Sequence, residues 1–303
     1  MTTSIGAAYE RPRPVKSATA ALFLLPAFVF LGAFILWPVV LSLQLSFYDW
    51  NGIAPTRSFV GFANWKALAA DSVFWKALGN NLIVVALSIA IQLPVAMALA
   101  VLLHRAGNRL KIFKVVYFFP MLMSTVAVGA LFKAVYDLQF GAVTPLLRAL
   151  GLAGIARDWL GDSRVALFSV IAVICWQFIP FYMILFLARL SSIPNELREA
   201  AAMDGATGSH YFWRVELPLM RGVIITAMTL SLIGSLKYFD LIWVMTEGGP
   251  AHATELMATY MYKEAFSSFR MGYGSTIATA MFLVVMTAGL AAIAVRRRRP
   301  EEA

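Results

Sequence analysis

The 303 residues are 60% hydrophobic and only 14% charged, where a soluble domain runs nearer roughly 45–50% apolar and about 25% charged. A single cysteine, Cys175, and three widely separated histidines, His104, His210 and His252, exclude an internal disulfide, a thiolate cluster and any histidine-ligand spacing. The net charge of +9 is spread over connections between long apolar runs, a pattern of membrane topology that excludes a nucleic-acid partner.

Six runs are long enough to cross a bilayer, which takes about 20 apolar residues in a helix. The first, Ser17–Leu45, follows Arg11, Arg13 and Lys16. It exceeds the apolar stretch of a signal peptide and has no small-residue cleavage site, so it reads as a retained span. Tyr48, Trp50, Trp65 and Trp75 follow, with Trp159 further on, and fit an interfacial aromatic belt with wet polar edges. Asp71–Leu78 reads as a short helix lying along the surface, capped by Asp71.

The remaining spans are Asn81–Leu103, Val115–Tyr136, Val165–Ala188, Gly222–Met245 and Tyr273–Val295. Arg105, Arg109, Lys111 and Lys114 fill the second connection, Arg189, Arg198, Arg214 and Arg221 the fourth, and Arg296–Arg299 the tail. The alternate connections are longer and nearly balanced in charge. Both termini are therefore expected in the cytoplasm. Pro26, Pro38, Pro94, Pro120 and Pro180 lie in or near spans and are candidate kinks.

The fourth connection, 189–221, is not composed like a linker. Pro194 suits a first helical turn, Glu196 and Glu199 favour the positive end of the dipole, and Leu197, Ala200 and Ala201 make one small apolar face. Gly205 can take the left-handed conformation that stops the helix. A second short helix over Thr207–Arg214 would present Tyr211, Phe212 and Trp213. These features suit a docking knob for a cytoplasmic partner. An amphipathic hairpin resting on the membrane surface is the alternative.

Charged residues inside spans usually face a partner or a polar cavity. Lys237 and Asp240, three apart, are expected on one helix face late in the fifth span, either as a structural ion pair or lining a cavity. Neither an inverted repeat nor a broken midplane helix is read in the six runs, which weighs against a secondary, ion-coupled transporter. No H-E-x-x-H pattern or nucleophile–base pair points to an intramembrane enzyme, and no G-x-x-x-x-G-K-[ST] loop is present to cradle ATP phosphates.

Glu199-Ala200-Ala201, then Asp204-Gly205-Ala206, then Val215-x-Leu217-Pro218 resemble the EAA signature of binding-protein-dependent importer permeases, with valine in place of the usual isoleucine at 215. Leu24-Leu25-Pro26, Trp37-Pro38, Phe59–Trp65, Phe239–Ile242 and Thr246–Pro250 resemble the carbohydrate-uptake branch, which includes maltose- and glycerol-phosphate-type permeases. The resemblance covers almost the whole chain. It implies an all-α integral membrane protein of the type I ABC importer permease fold, in the bacterial plasma membrane and not itself an enzyme. It implies a cytoplasmic coupling helix, with Glu199, Ala200, Ala201, Asp204, Gly205, Ala206, Phe212, Leu217 and Pro218 at the ATPase contact. It also implies a second six-span permease, a homodimeric ABC ATPase carrying ATP and Mg, and an extracellular solute-binding lipoprotein; this chain itself would bind no cofactor. Carried over by motif, the substrate positions fall on Met121 and Thr125, on Ile174, Gln177, Phe178 and Phe181, and on Leu236, Lys237 and Asp240. Such a set suits a sugar, while Lys237 leaves an anionic glycerophosphodiester open and Asp240 would partly cancel its charge.

Overall fold

A computed structural model describes residues 17–297; the basic tail residues Arg11, Arg13, Lys16, Arg298 and Arg299 lie outside the described residues. The helices in chain order are α1 (Ser17–Leu31), α2 (Trp37–Leu45), α3 (Ala63–Ala70), α4 (Ser72–Leu87), α5 (Leu93–Ala106), α6 (Lys111–Leu122), α7 (Thr125–Val135), α8 (Val143–Ala149), α9 (Ala166–Ser191), α10 (Asn195–Met203), α11 (Ser209–Tyr211), α12 (Leu217–Leu219), α13 (Arg221–Leu236), α14 (Asp240–Thr246), α15 (Met257–Tyr262) and α16 (Met271–Arg297). Two short strands, β1 (Tyr48–Asp49) and β2 (Ser58–Phe59), pair antiparallel with Tyr48 opposite Phe59.

Among the described residues, four continuous helices are long and apolar enough to cross a membrane: Leu22–Leu45, Ser72–Ala106, Ala166–Ser191 and Met271–Ala294. Two bent pairs bring the number up to six if each pair is one span. With no water to satisfy backbone groups, helix is the available state for such runs.

Continuity through prolines has a local device. The π-helical turns Gly32–Leu36, Ser88–Gln92 and Phe212–Glu216 each end two residues before a proline, at Pro38, Pro94 and Pro218. A proline ring clashes with the carbonyl four residues back, at Phe34, Ala90 and Arg214 here, and a π turn widens the helix at that carbonyl. These three prolines therefore leave their helices unbroken.

Other expectations are corrected. The third span is not one helix: α6 and α7 meet at 96°. Pro120 removes a helical donor in α6, and Met123 and Ser124 are extended, with ψ of 145° and 134°. The fifth run is helical only to Leu236; Lys237 to Phe239 break it before α14 starts. Broken helices are thus present after all. The segment from Asp71 is not a surface helix but the beginning of the second long helix. Asp71 does cap it, accepting from the N–H groups of Val73 and Phe74 at 2.8 and 3.3 Å. Three of the belt tryptophans also have acceptors within the protein for their indole N–H: Trp50 donates to Ala54 O, Trp65 to Ser46 Oγ and the exposed Trp75 to Ala69 O.

The core has two parts. The larger lies where α5 packs on α9, with Ala96, Ala100, Leu103, Val173, Met183 and Phe186 fully enclosed. The smaller joins α4, α15 and α16 around Ala77, Met257 and Ile277. Small residues allow this close packing. A Cβ on Gly272 would lie 1.9 Å from the Tyr48 carbonyl oxygen, so the β1 backbone rests directly on α16.

Asp71 also accepts from Tyr260 and Tyr273 hydroxyls, both at 2.5 Å. Burial pulls its carboxyl upward, but the two tyrosines and the two backbone donors together outweigh that and leave it below its ordinary 3.8. The same burial, reinforced by the Asp71 bond, pushes the Tyr260 hydroxyl up. A lowered native value means that Asp71 stabilises the fold above the unfolded value and loses that contribution as pH falls through the native one. The thermal midpoint of the wild type should therefore fall between neutral pH and pH about 3 more steeply than that of Asp71→Asn. Parallel curves would show that the tyrosine bonds contribute nothing to acid sensitivity.

Candidate functional site: a membrane cavity and a docking loop

A cavity of about 360 Å³ opens between the π turn before α5, α6, α9 and α13. Met121, Ile174, Phe178 and Phe181 of the expected substrate positions line it. Gln92, Tyr182, Leu230, Ser231, Gly234, Ser235 and Tyr238 complete the wall and were not anticipated. Their signal was present: Ser231 and Ser235 sit one turn apart on α13, and Gln92 places a polar amide in a charge-free run. Phe178 meets Tyr238 edge-on at 6.1 Å between ring centres.

The wall is mostly apolar and aromatic, with a few uncharged polar groups. The Gln92 amide donates to Ser88 Oγ at 3.2 Å. Ser231 Oγ and Tyr238 OH are buried with no hydrogen-bond partner among the described residues. Orphaned hydroxyls at a cavity wall are costly unless something occupies it.

The other expected positions lie elsewhere. Thr125 begins α7, beyond the bend. Gln177 is on α9 at 2% exposure with its Oε1 unpartnered, outside the cavity lining. Leu236 is buried in the smaller core. Lys237 and Asp240 do not share a helix face, because α13 ends between Leu236 and Lys237; both are exposed and no ion pair joins them.

At the other end of α9 the docking loop folds as two short helical pieces. Pro194 stands just before α10, with ψ of 140°. Gly205 has φ of +74°. Its N–H donates to Ala202 O at 3.1 Å, and the Ala206 N–H to Ala201 O at 2.8 Å. This pair of bonds is the Schellman closure, which a residue free to adopt positive φ permits. The second piece runs from Ser209 through Leu219, longer than Thr207–Arg214, because the π turn carries it past Pro218. It meets α13 at 67°.

Glu199, Ala200, Asp204, Gly205 and Pro218 face solvent, and Ala201 and Ala206 are half-buried. Phe212 and Leu217 instead line a second, apolar cavity of about 650 Å³ against α5, Phe186 and α13. Arg189 grips the loop with Nε and Nη2 on Leu219 O at 3.2 and 3.0 Å. Arg105 reaches Glu216 Oε2 at 3.5 Å.

A cavity between helices and a solvent-facing helical loop at one end are the two parts a driven permease needs. The pattern of the family described as binding-protein-dependent transport system inner membrane component matches residues 92–299. The chain belongs to this family. It is a multi-pass permease component of an ABC transporter, and the ion-coupled alternative falls away. A probable ABC transporter permease of Pyrococcus horikoshii is 36% identical over 88% of this chain and 91% of its own length. The permease of a multiple sugar-binding transport system of Streptococcus mutans is 33% identical over 87% and 90%. The fold is that of a chain in a bacterial ABC transporter involved in alginate import, with a TM-score of 0.82, 23% identity and coverage of 94% and 96%. This permease therefore has the type I ABC importer architecture.

Proposed function

We propose that this permease forms half of the pathway for a neutral sugar or oligosaccharide delivered by an extracellular binding protein. The observation that carries the solute class is the wall of the cavity, which combines aromatic rings, uncharged polar groups and two orphaned hydroxyls with no charged side chain. Rings stack on sugar faces, and hydroxyl and amide groups pair with sugar hydroxyls. An anionic glycerophosphodiester would need a cation there, and Lys237 lies off the lining. The sugar-transport role of the Streptococcus mutans relative agrees.

One permease domain, 17–295, has six spans, the third formed by the bent pair α6–α7 and the fifth by α13 with the segment that follows it to Met245. Both tails, 1–16 and 296–303, and the coupling loop 189–221 are cytoplasmic. ATP and Mg act on a homodimeric ATPase in trans, and a second six-span permease completes the pathway. Closure of the ATPase dimer pushes on α10, and Arg189 and Arg105 pass the motion to the spans in alternating access. Met121, Ile174, Phe178 and Phe181 contact the solute, joined by Ser231 and Tyr238. Thr125, Gln177, Leu236, Lys237 and Asp240 lie off this lining and take part in the pathway indirectly, Leu236 through packing.

The test is uptake into vesicles containing the assembled transporter, with the solute identified from its binding protein. Tyr238→Phe and Ser231→Ala should each raise the half-saturating solute concentration about five- to tenfold, the worth of one hydrogen bond that the solute completes. Unchanged half-saturation in both variants, or a solute carrying a phosphodiester, would refute the assignment.

A further inference from the structure

A helix that ends inside a protein leaves its last carbonyls without intrahelical partners. In α13 two of them, Ser235 O and Leu236 O, receive the side-chain amide of Asn81 at 3.1 and 3.3 Å. Asn81 is fully buried on α4, and its Oδ1 accepts from the Met257 N–H at 2.9 Å. One side chain thus holds both the end of α13 and the start of α15.

The segment between α14 and α15 is itself stiff. Asn80, next to Asn81, donates to Ala253 O and Glu255 O at 3.1 and 2.9 Å. The Glu255 carboxylate accepts from Thr259 Oγ1 and from Lys263 Nζ, both at 2.7 Å, and pairs with His252 Nδ1 at 2.9 Å. Thr254 Oγ1 donates to Gly249 O at 2.7 Å. Ser235 is meanwhile a cavity-wall residue. Asn81 is therefore bonded both to the cavity wall and to the first residue of α15, where the α14–α15 loop ends.

We infer that Asn81 is a positioning residue that fixes the cavity wall at Ser235 to the α14–α15 loop, so that displacement of the loop moves the wall. The inference rests on the proposed topology in one respect: there the loop lies on the face that a binding protein meets, and docking would reach the cavity through Asn81.

The experiment reads the wall directly. In a Cys175→Ala background, Ser235→Cys is labelled by a small methanethiosulfonate reagent in the assembled transporter in nanodiscs. Ser231→Cys, one turn back within regular helix, serves as the control. Asn81→Ala should speed labelling at 235 roughly tenfold, since two carbonyls lose their donors, and leave 231 unchanged. Asn81→Asp, isosteric and able when protonated to supply one donor, should fall between. Asn80→Ala, which touches only the loop, should speed labelling at 235 severalfold when Asn81 is present and add nothing when it is alanine. Equal acceleration at 231 and 235, no acceleration at 235, or additive effects of the two substitutions would each overturn the inference. Because no binding protein or solute is needed, these results stand apart from the proposed function. Failure of a loaded binding protein to alter labelling at 235, with the cycle intact, would count against the docking topology while leaving the Asn81 link in place.

Discussion

Glu255→Ala is expected to destabilise the permease by about 3 kcal/mol or more, because removing one partner of a buried ion pair leaves the other without compensation. Glu255 is fully buried, and its carboxylate holds Thr259, Lys263 and His252. Lys263 and His252 keep some contact with water, at 28% and 46% side-chain exposure, which places the loss at the lower end of the usual range. The carboxylate also fills the space over Gly248, where a Cβ would lie 2.5 Å from both oxygens. Gly248 has φ of +81°, so Gly248→Ala should be destabilising for two reasons at once, collision and backbone strain. Glu255→Gln, which keeps an acceptor for Thr259 while losing the charge, should cost less, about 1–2 kcal/mol. Thermal unfolding of the purified transporter in detergent measures all three. A Glu255→Ala midpoint within a degree or so of wild type would contradict the buried pair's structural role.

Gly205→Pro is expected to abolish solute uptake while the permease still reaches the membrane. Proline fixes φ near −65° and has no N–H, whereas position 205 needs +74° and donates to Ala202 O. The Schellman closure is lost, and the end of α10 moves. Local unfolding of about 3 kcal/mol is confined to a solvent-facing loop, so the spans keep their packing. ATP hydrolysis should no longer respond to the loaded binding protein. Glu199→Lys leaves the helix closure intact and reverses charge on the exposed face of α10, and it should give the same uncoupling by weakening the ATPase contact. Normal uptake together with normal stimulation of hydrolysis in both variants would remove the coupling role from this loop.

The contrast between these two sites explains how much was legible in the sequence. α10 and its stop at Gly205 are local matters: a proline, two acidic residues and a glycine within one short segment fix them. Long apolar runs likewise announce the spans, since the bilayer leaves them little choice. The end of α13 is different. Gly222–Met245 reads as one span with Lys237 and Asp240 late in it, and its helix ends at Leu236, where the Asn81 amide, 154 residues away from Ser235, takes the last carbonyls. Lys237 and Asp240 were placed on one face because the break between them is a tertiary event. The helix that contains the second run begins at Ser72, ahead of Asn81, because the Asp71 cap opens one long helix.

The cavity was half legible for a related reason. Met121, Ile174, Phe178 and Phe181 line it, but Ser231 and Tyr238 carry the unpartnered hydroxyls. A serine in a span is ordinarily satisfied by the carbonyl one turn back, as Thr226 and Thr229 are by Gly222 O and Ile225 O. Only the three-dimensional arrangement reveals that Ser231 is not.

If this permease works as one half of an ATP-driven pathway, affinity purification in mild detergent followed by mass spectrometry will recover the other parts with it. A Walker-motif ATPase and a second six-span permease should be recovered in stoichiometric amounts. Recovery of the chain alone, or only with copies of itself, in a detergent that preserves known importers would contradict this role.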